Sequence, residues 1–116
     1  MGTNKSKSQT WDEWRELVNM APKELEDWLE TDESWSVGDT RHGESTGHAS
    51  GRRIVEVKRT NKDDLTDEQW DHMAKVVGYI KRHCSQGGPE TDVETSAWRY
   101  SLMNWGHDPA KNDGCA

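Results

Sequence analysis

The chain has no phenylalanine, and leucine, isoleucine and valine together supply only 14 of its 116 residues. That aliphatic share, about 12%, is typical of disordered proteins, which bury too little apolar surface to offset the entropy of ordering a backbone. Long hydrophobic runs are missing as well. The longest stretch without charged or strongly polar residues is Val76 to Ile80, against the roughly 20 apolar residues that cross a bilayer. No membrane-spanning segment is expected, and Met1 to Thr10 lacks the apolar stretch of a secretory signal. Cysteine is limited to Cys84 and Cys115. Without a secretory signal both are expected to be free thiols in a reducing compartment, which puts the protein inside the cell, cytoplasmic or, in a eukaryote, nuclear.

What the chain does have is tryptophan: seven Trp beside two Tyr. Each such ring buries roughly 150–250 Å² and replaces several missing aliphatics. A folded chain of this composition therefore builds its core on indoles, as one small domain.

The net charge of −7 is unevenly placed. Thr10 to Glu33 holds nine acids against Arg15 and Lys23, and the remainder sums to zero. Arg52, Arg53, Lys58, Arg59 and Lys62 crowd one stretch against the single acid Glu56. An acidic chain can still present such a basic face to a polyanion. The plainer reading is a solvated helix face that pairs with the acidic N-terminal helices.

Met1 to Gln9 is polar and aperiodic, as in a disordered tail. Thr10 reads as an N-cap, with Glu13 three residues on and Trp11, Trp14, Leu17 and Val18 on one helical face. Met20, Ala21, Pro22, Glu24 and Leu25 mark a second helix start, with the cap position, Ala21, lacking a side-chain acceptor. Thr31 to Ser50 carries Gly38, Gly43 and Gly47 with little apolar besides Trp35 and Val37, and reads as a long loop. Arg52 to Thr60 fits a helix capped near Ser50, or a strand because Val55 and Val57 alternate. Helix is preferred because no comparable strand exists to pair with it. Thr66 to Gln69 forms a capping box, and Trp70, Met73, Val76, Val77, Ile80 and Cys84 follow within an arc of about 120°. His72, Tyr79 and His83 run along one flank of that arc. Gly87, Gly88 and Pro89 break the helix, and a last one carries Trp98, Leu102 and Trp105 before Gly106 and Pro109 stop it. Lys111 to Ala116 is expected to fray. The sum is an all-α domain over residues 10–110, a small bundle of four to five helices with a long glycine-rich loop and flexible termini.

Gly43-Glu44-Ser45-Thr46-Gly47 has the G-x-S-x-G spacing of a hydrolase nucleophile elbow, but no apolar strand precedes it. No two histidines lie at i, i+4 and no Cys-x-x-Cys pair occurs, so neither a metal nor another cofactor is expected. The stronger candidate is Gly47 to Arg53. It places glycines, a hydroxyl and two arginines at an expected helix start, where free N–H groups and the helix dipole favour an anion. Ser45, His48, Ser50, Gly51, Arg52 and Arg53 are the expected ligand residues, with Lys58, Arg59, Arg99, His107 and Asp108 secondary. Alternatively, Arg52 or Arg53 is an internal clamp on a carboxylate such as Glu24 or Asp108.

Three stretches carry a family likeness: Met20 to Leu29, Gly43-Glu44-Ser45 through His48 to Glu56, and Trp98 to Pro109. Together they resemble the bacterial and fungal domain of unknown function family 3140 over roughly residues 11–110. The resemblance implies little about activity, since members are mostly hypothetical proteins and some carry a DNA-binding label. Ala21 departs from the hydroxyl the family leads one to expect at the second helix cap, and Trp35 is atypical.

The chain is thus expected to be a non-enzymatic binding module, taking nucleic acid or another polyanion, or a phosphate-bearing ligand, through the basic helix start at 47–62. The alternative is a protein–protein interaction domain using its acidic, Trp-bearing N-terminal helices. A small enzyme acting through His48, His107 and Asp108 is the third reading.

Overall fold

Among the described residues six α-helices follow one another: α1 (Lys7–Leu17), α2 (Pro22–Leu29), α3 (Asp32–Ser36), α4 (Thr46–Lys58), α5 (Asp67–Gln86) and α6 (Ala97–Asn104), with 3-10 turns at Lys62–Asp64 and Val93–Thr95. The computed structural model describes residues 6–38 and 43–111. Residues 1–5 of the expected tail, 39–42 of the expected loop and 112–116 of the expected frayed end, Cys115 among them, lie outside the described residues. No strand occurs among the described residues, so the all-α expectation holds and 52–60 is helix. The six helices of the described residues exceed the four to five expected. The stretch read as loop over 31–50 contains all of α3 and the first turn of α4.

The helix starts follow their caps. Thr66 Oγ1 accepts the Gln69 N–H at 3.1 Å while Gln69 Oε1 accepts the Thr66 N–H at 2.9 Å, the reciprocal box expected for α5. Pro22 opens α2, and the staple residues Met20 and Leu25 are fully buried. Helix α1 begins elsewhere than expected. Ser6 Oγ accepts the Gln9 N–H at 3.1 Å, so residues 7–9 are helix and not tail. Thr10, the expected cap, sits inside the helix and is buried.

Helix α1 packs along α5, α2 along α4, and α6 closes the assembly against α2, α3, α4 and α5. Trp14, Trp70 and Trp105 are buried among Met20, Leu25, Ile54, Met73, Ile80 and Leu102, with Trp11, Trp28 and Trp98 half-buried against them. The indole core is therefore real. Trp35 is the exception, 45% exposed on α3.

Helix α6 ends in a complete Schellman turn. Gly106 takes φ +82°, a conformation that glycine adopts without strain, the Gly106 N–H donates to Met103 O at 2.9 Å and the His107 N–H to Leu102 O at 3.0 Å. The turn throws the chain back onto the α1–α2 connection, where the Met20 N–H donates to Gly106 O and the Asp108 N–H to Asn19 Oδ1. Lys111, expected to fray, is tied there too, its Nζ donating to Asn19 O and to Glu24.

Cys84 is disulfide-bonded, which overturns the free thiol expected there and removes the premise for a reducing compartment. Among the described residues no helix is long and apolar enough to cross a membrane.

Candidate functional site

The basic stretch starts its helix one turn earlier than its sequence suggests. Ser45 Oγ accepts the His48 N–H at 3.1 Å, and the Ala49 N–H already donates to Ser45 O at 3.0 Å. Ser50, Gly51, Arg52 and Arg53 therefore lie beyond the first turn, where backbone N–H groups are consumed by the helix and not offered to an anion. Ser45, the serine of the elbow-like spacing, is a buried cap.

The glycines have a packing role. A Cβ on Gly51 would stand 2.6 Å from Asn104 O and 2.7 Å from Leu29 Cδ2, and one on Gly47 2.9 Å from Trp105 Nε1. They let α4 cross α2 and α6 at close range, so neither glycine is needed to admit a ligand.

The cations then separate one by one. Arg52 holds Glu44 in a two-pronged pair, with Nε donating to Oε2 at 2.8 Å. Glu44 also meets His48 Nδ1, while His48 Nε2 lies 2.7 Å from Leu29 O. Chiefly through Arg52, and despite partial burial, the Glu44 carboxyl is held down at about 2. Arg59 pairs with Glu26 at 3.0 Å. Lys58 Nζ reaches across to Val18 O at 3.1 Å, and burial lowers its pKa. Lys62 Nζ sits 5.0 Å over the Trp11 ring. Arg99 forks onto both oxygens of Asp108 at 3.1 Å. Burial pushes the Asp108 carboxyl upward, but the Arg99 fork and the Ala110 N–H more than reverse it. The internal clamp expected for Arg52 or Arg53 exists, with Glu44 as the partner in place of Glu24 or Asp108.

Arg53 alone of the five bases keeps no such partner among the described residues. It lines a depression of about 260 Å³ between α4 and α5 with Thr46, Ser50, His72 and Lys75. Among the described residues Glu44 is the one acid on that wall, and it is held by Arg52 and His48. Ser50 Oγ lies 2.8 Å from His72 Nε2, and His72 Nδ1 is buried without a partner. Burial, with the Arg53 and Lys75 charges beside it, holds the imidazole down at about 4. Lys75 also has no ion pair among the described residues. The result is a concave, electropositive patch with a neutral histidine at its base.

The match to a family model runs over residues 13–103, most of the chain, and the model is that of the protein of unknown function family DUF3140. The chain belongs to the DUF3140 family. Neither a curated protein nor a solved structure matches it. The DUF3140 region contains both the Glu44–His48–Arg52 cluster and the Arg53–His72–Lys75 depression, and ends before the Gly106 turn.

Of the expected ligand residues, Ser50 and Arg53 share the depression and Ser45 is at its edge as a cap. His48 and Arg52 face the groove beside α2 and α3 instead, and Gly51 packs against α2 and α6. His107 and Asp108 are placed apart from His48: His107 Nδ1 donates to Leu17 O at 2.6 Å and Asp108 serves Arg99 and Asn19. Among the described residues no three His, Cys, Asp or Glu converge as metal ligands do. His72 and Lys75 were missed as ligand residues. They sit three apart on the solvent flank of α5, a spacing too common to single out.

Proposed function

We propose that this DUF3140 protein is a binding module without a reaction of its own, and that the depression between α4 and α5 takes a compact anionic group, a phosphate or carboxylate, on Arg53 and Lys75. What carries this reading is that these two cations stand on one concave wall with no ion pair among the described residues, while Arg52, Lys58, Arg59 and Arg99 are spent on partners within the fold. A guanidinium fork beside an ammonium and a serine hydroxyl is the donor set that holds one phosphate. A single pair of cations in this depression, on a chain of net charge −7, favours a small ligand over an extended polyanion.

A bound anion offsets the Arg53 and Lys75 charges beside His72, so binding and ring protonation favour each other. NMR titration with inorganic phosphate is expected to shift Arg53, Lys75 and His72 saturably and to raise the His72 pKa from about 4. Arg53→Ala is expected to weaken binding about tenfold. Absence of saturable shifts, or shifts that survive Arg53→Ala, sinks the reading. If a DNA duplex binds instead, a log–log salt slope of roughly −2 corresponds to this cation pair, and a slope near −5 requires the whole basic stretch to abandon its internal partners.

A further inference from the structure

Trp35 is the one large aromatic side chain left exposed among the described residues. One face of its indole lies on the buried His48 ring, with centroids 3.8 Å apart, and it borders a groove of about 590 Å³ between α2, α3 and α4. Leu29, Val55 and Trp35 make the apolar lining, and Glu26, Asp27 and Glu30 of α2 line it on the acidic side. This groove is on another face of α4 from the Arg53 depression: Arg52 and Val55 line it, while Ser50 and Arg53 line the other.

We infer that this groove is an interaction surface for a protein partner, and that the partner enters with an arginine-bearing segment. Charge complementarity decides the occupant. The groove is built on the segment, Thr10 to Glu33, that holds the whole net charge of −7, and Glu30 has no ion pair among the described residues. The pair that Asp27 makes with Lys23, at 2.7 Å, joins two largely exposed side chains at i, i+4 and exchanges easily for a better partner. The His48 end is fixed. His48 bridges Glu44 and Leu29 O, and Glu44 is locked by Arg52, so Trp35 rests on an immobile platform. A rigid, half-exposed indole beside carboxylates fits a guanidinium, which stacks on the ring while its edge donates to Glu30. Buried tryptophan anchors of this kind carry much of an interface's energy. Lys23 and Arg52 also line the groove, but each is paired, with Asp27 and Glu44, so an acidic partner segment would meet Glu30 as uncompensated like charge.

The full chain is to be titrated by fluorescence anisotropy with fluorescein-labelled hexa-arginine, and with hexa-glutamate as control. One-to-one saturable binding of hexa-arginine is expected, with none of hexa-glutamate. Trp35→Ala is expected to weaken it about tenfold, and Arg53→Ala to leave it unchanged, separating this surface from the anion site. Because Trp35→Ala removes the ring packed on His48, Glu30→Lys provides an independent variant at the rim. Its matched control is Asp71→Lys, an exposed position on α5 that does not line the groove. Loss of about tenfold in Glu30→Lys with little change in Asp71→Lys supports the inference. Equal loss in both, which is attraction by net charge alone, or absence of saturable binding, overturns it.

Discussion

Asn104 shows how much one polar residue can organise. It is fully buried, and its Oδ1 accepts from Trp28 Nε1 at 2.7 Å and from the Ser34 hydroxyl, while its Nδ2 donates to Ser34 O at 3.0 Å. One amide thus joins α2, α3 and α6. Asn104→Leu keeps the volume and strands a buried indole N–H and a hydroxyl, so it is expected to cost about 2–4 kcal/mol in urea unfolding. Its sequence setting, between Met103 and Trp105 at a helix end, gave no sign of this. The partners are 70 and 76 residues away. His72 was visible only as a flank residue of α5. What distinguishes it is the company of Ser50, Arg53 and Lys75, which the α4–α5 crossing supplies.

At the scale of elements, caps were the most legible feature. Pro22 after Ala21 and Thr66 with Gln69 stand where the pattern puts them, because a cap is made within four consecutive residues. Ala21 gives α2 no side-chain cap bond, although the Glu24 carboxylate accepts the Ala21 N–H at 3.2 Å. The backbone at Ala21 is extended, φ −66° and ψ 155°, and the residue is exposed, so Ala21→Thr meets no obstacle. It is expected to raise stability by about 1 kcal/mol, read as a higher urea midpoint; an unchanged midpoint would disprove the cap argument. The start of α4 was less legible. The glycines around Ser50 suggested an anion loop, but Gly51 is there because Asn104 O and Leu29 leave no room for a Cβ. That requirement comes from neighbouring helices and leaves no local mark.

For the whole molecule, the buried histidines set the response to acid. The His72 pKa falls from 6.5 to about 4 on folding. Between those values the unfolded chain binds the extra proton, so stability is full above pH 6.5 and is lost as pH falls toward 4. Allowing for its partial exposure, His72 is expected to account for about 1–2 kcal/mol of loss between pH 7.5 and 5. His83 and His107, lowered mainly by burial, act in the same direction. Glu44, held at about 2, adds a further loss as pH falls below 4.5. Urea unfolding of wild type and His72→Gln at both pH values checks this: the variant is expected to show a smaller drop, and an identical drop would refute the role of His72.

From the sequence alone came the indole core, the helical class, the caps of α2 and α5, and the concentration of acid in residues 10–33. All of these rest on composition or on residues a turn apart, and short-range sterics and hydrogen bonding determine them. Only the tertiary structure decided which base is free. Arg59 meets Glu26 from 33 residues away and Lys58 meets Val18 from 40, whereas Arg53, next to Arg52, meets no carboxylate among the described residues. Ion pairing depends on which helix faces which. That is fixed by the close crossings at Gly47 and Gly51 and by the α6 turn, long-range contacts that a local pattern does not encode.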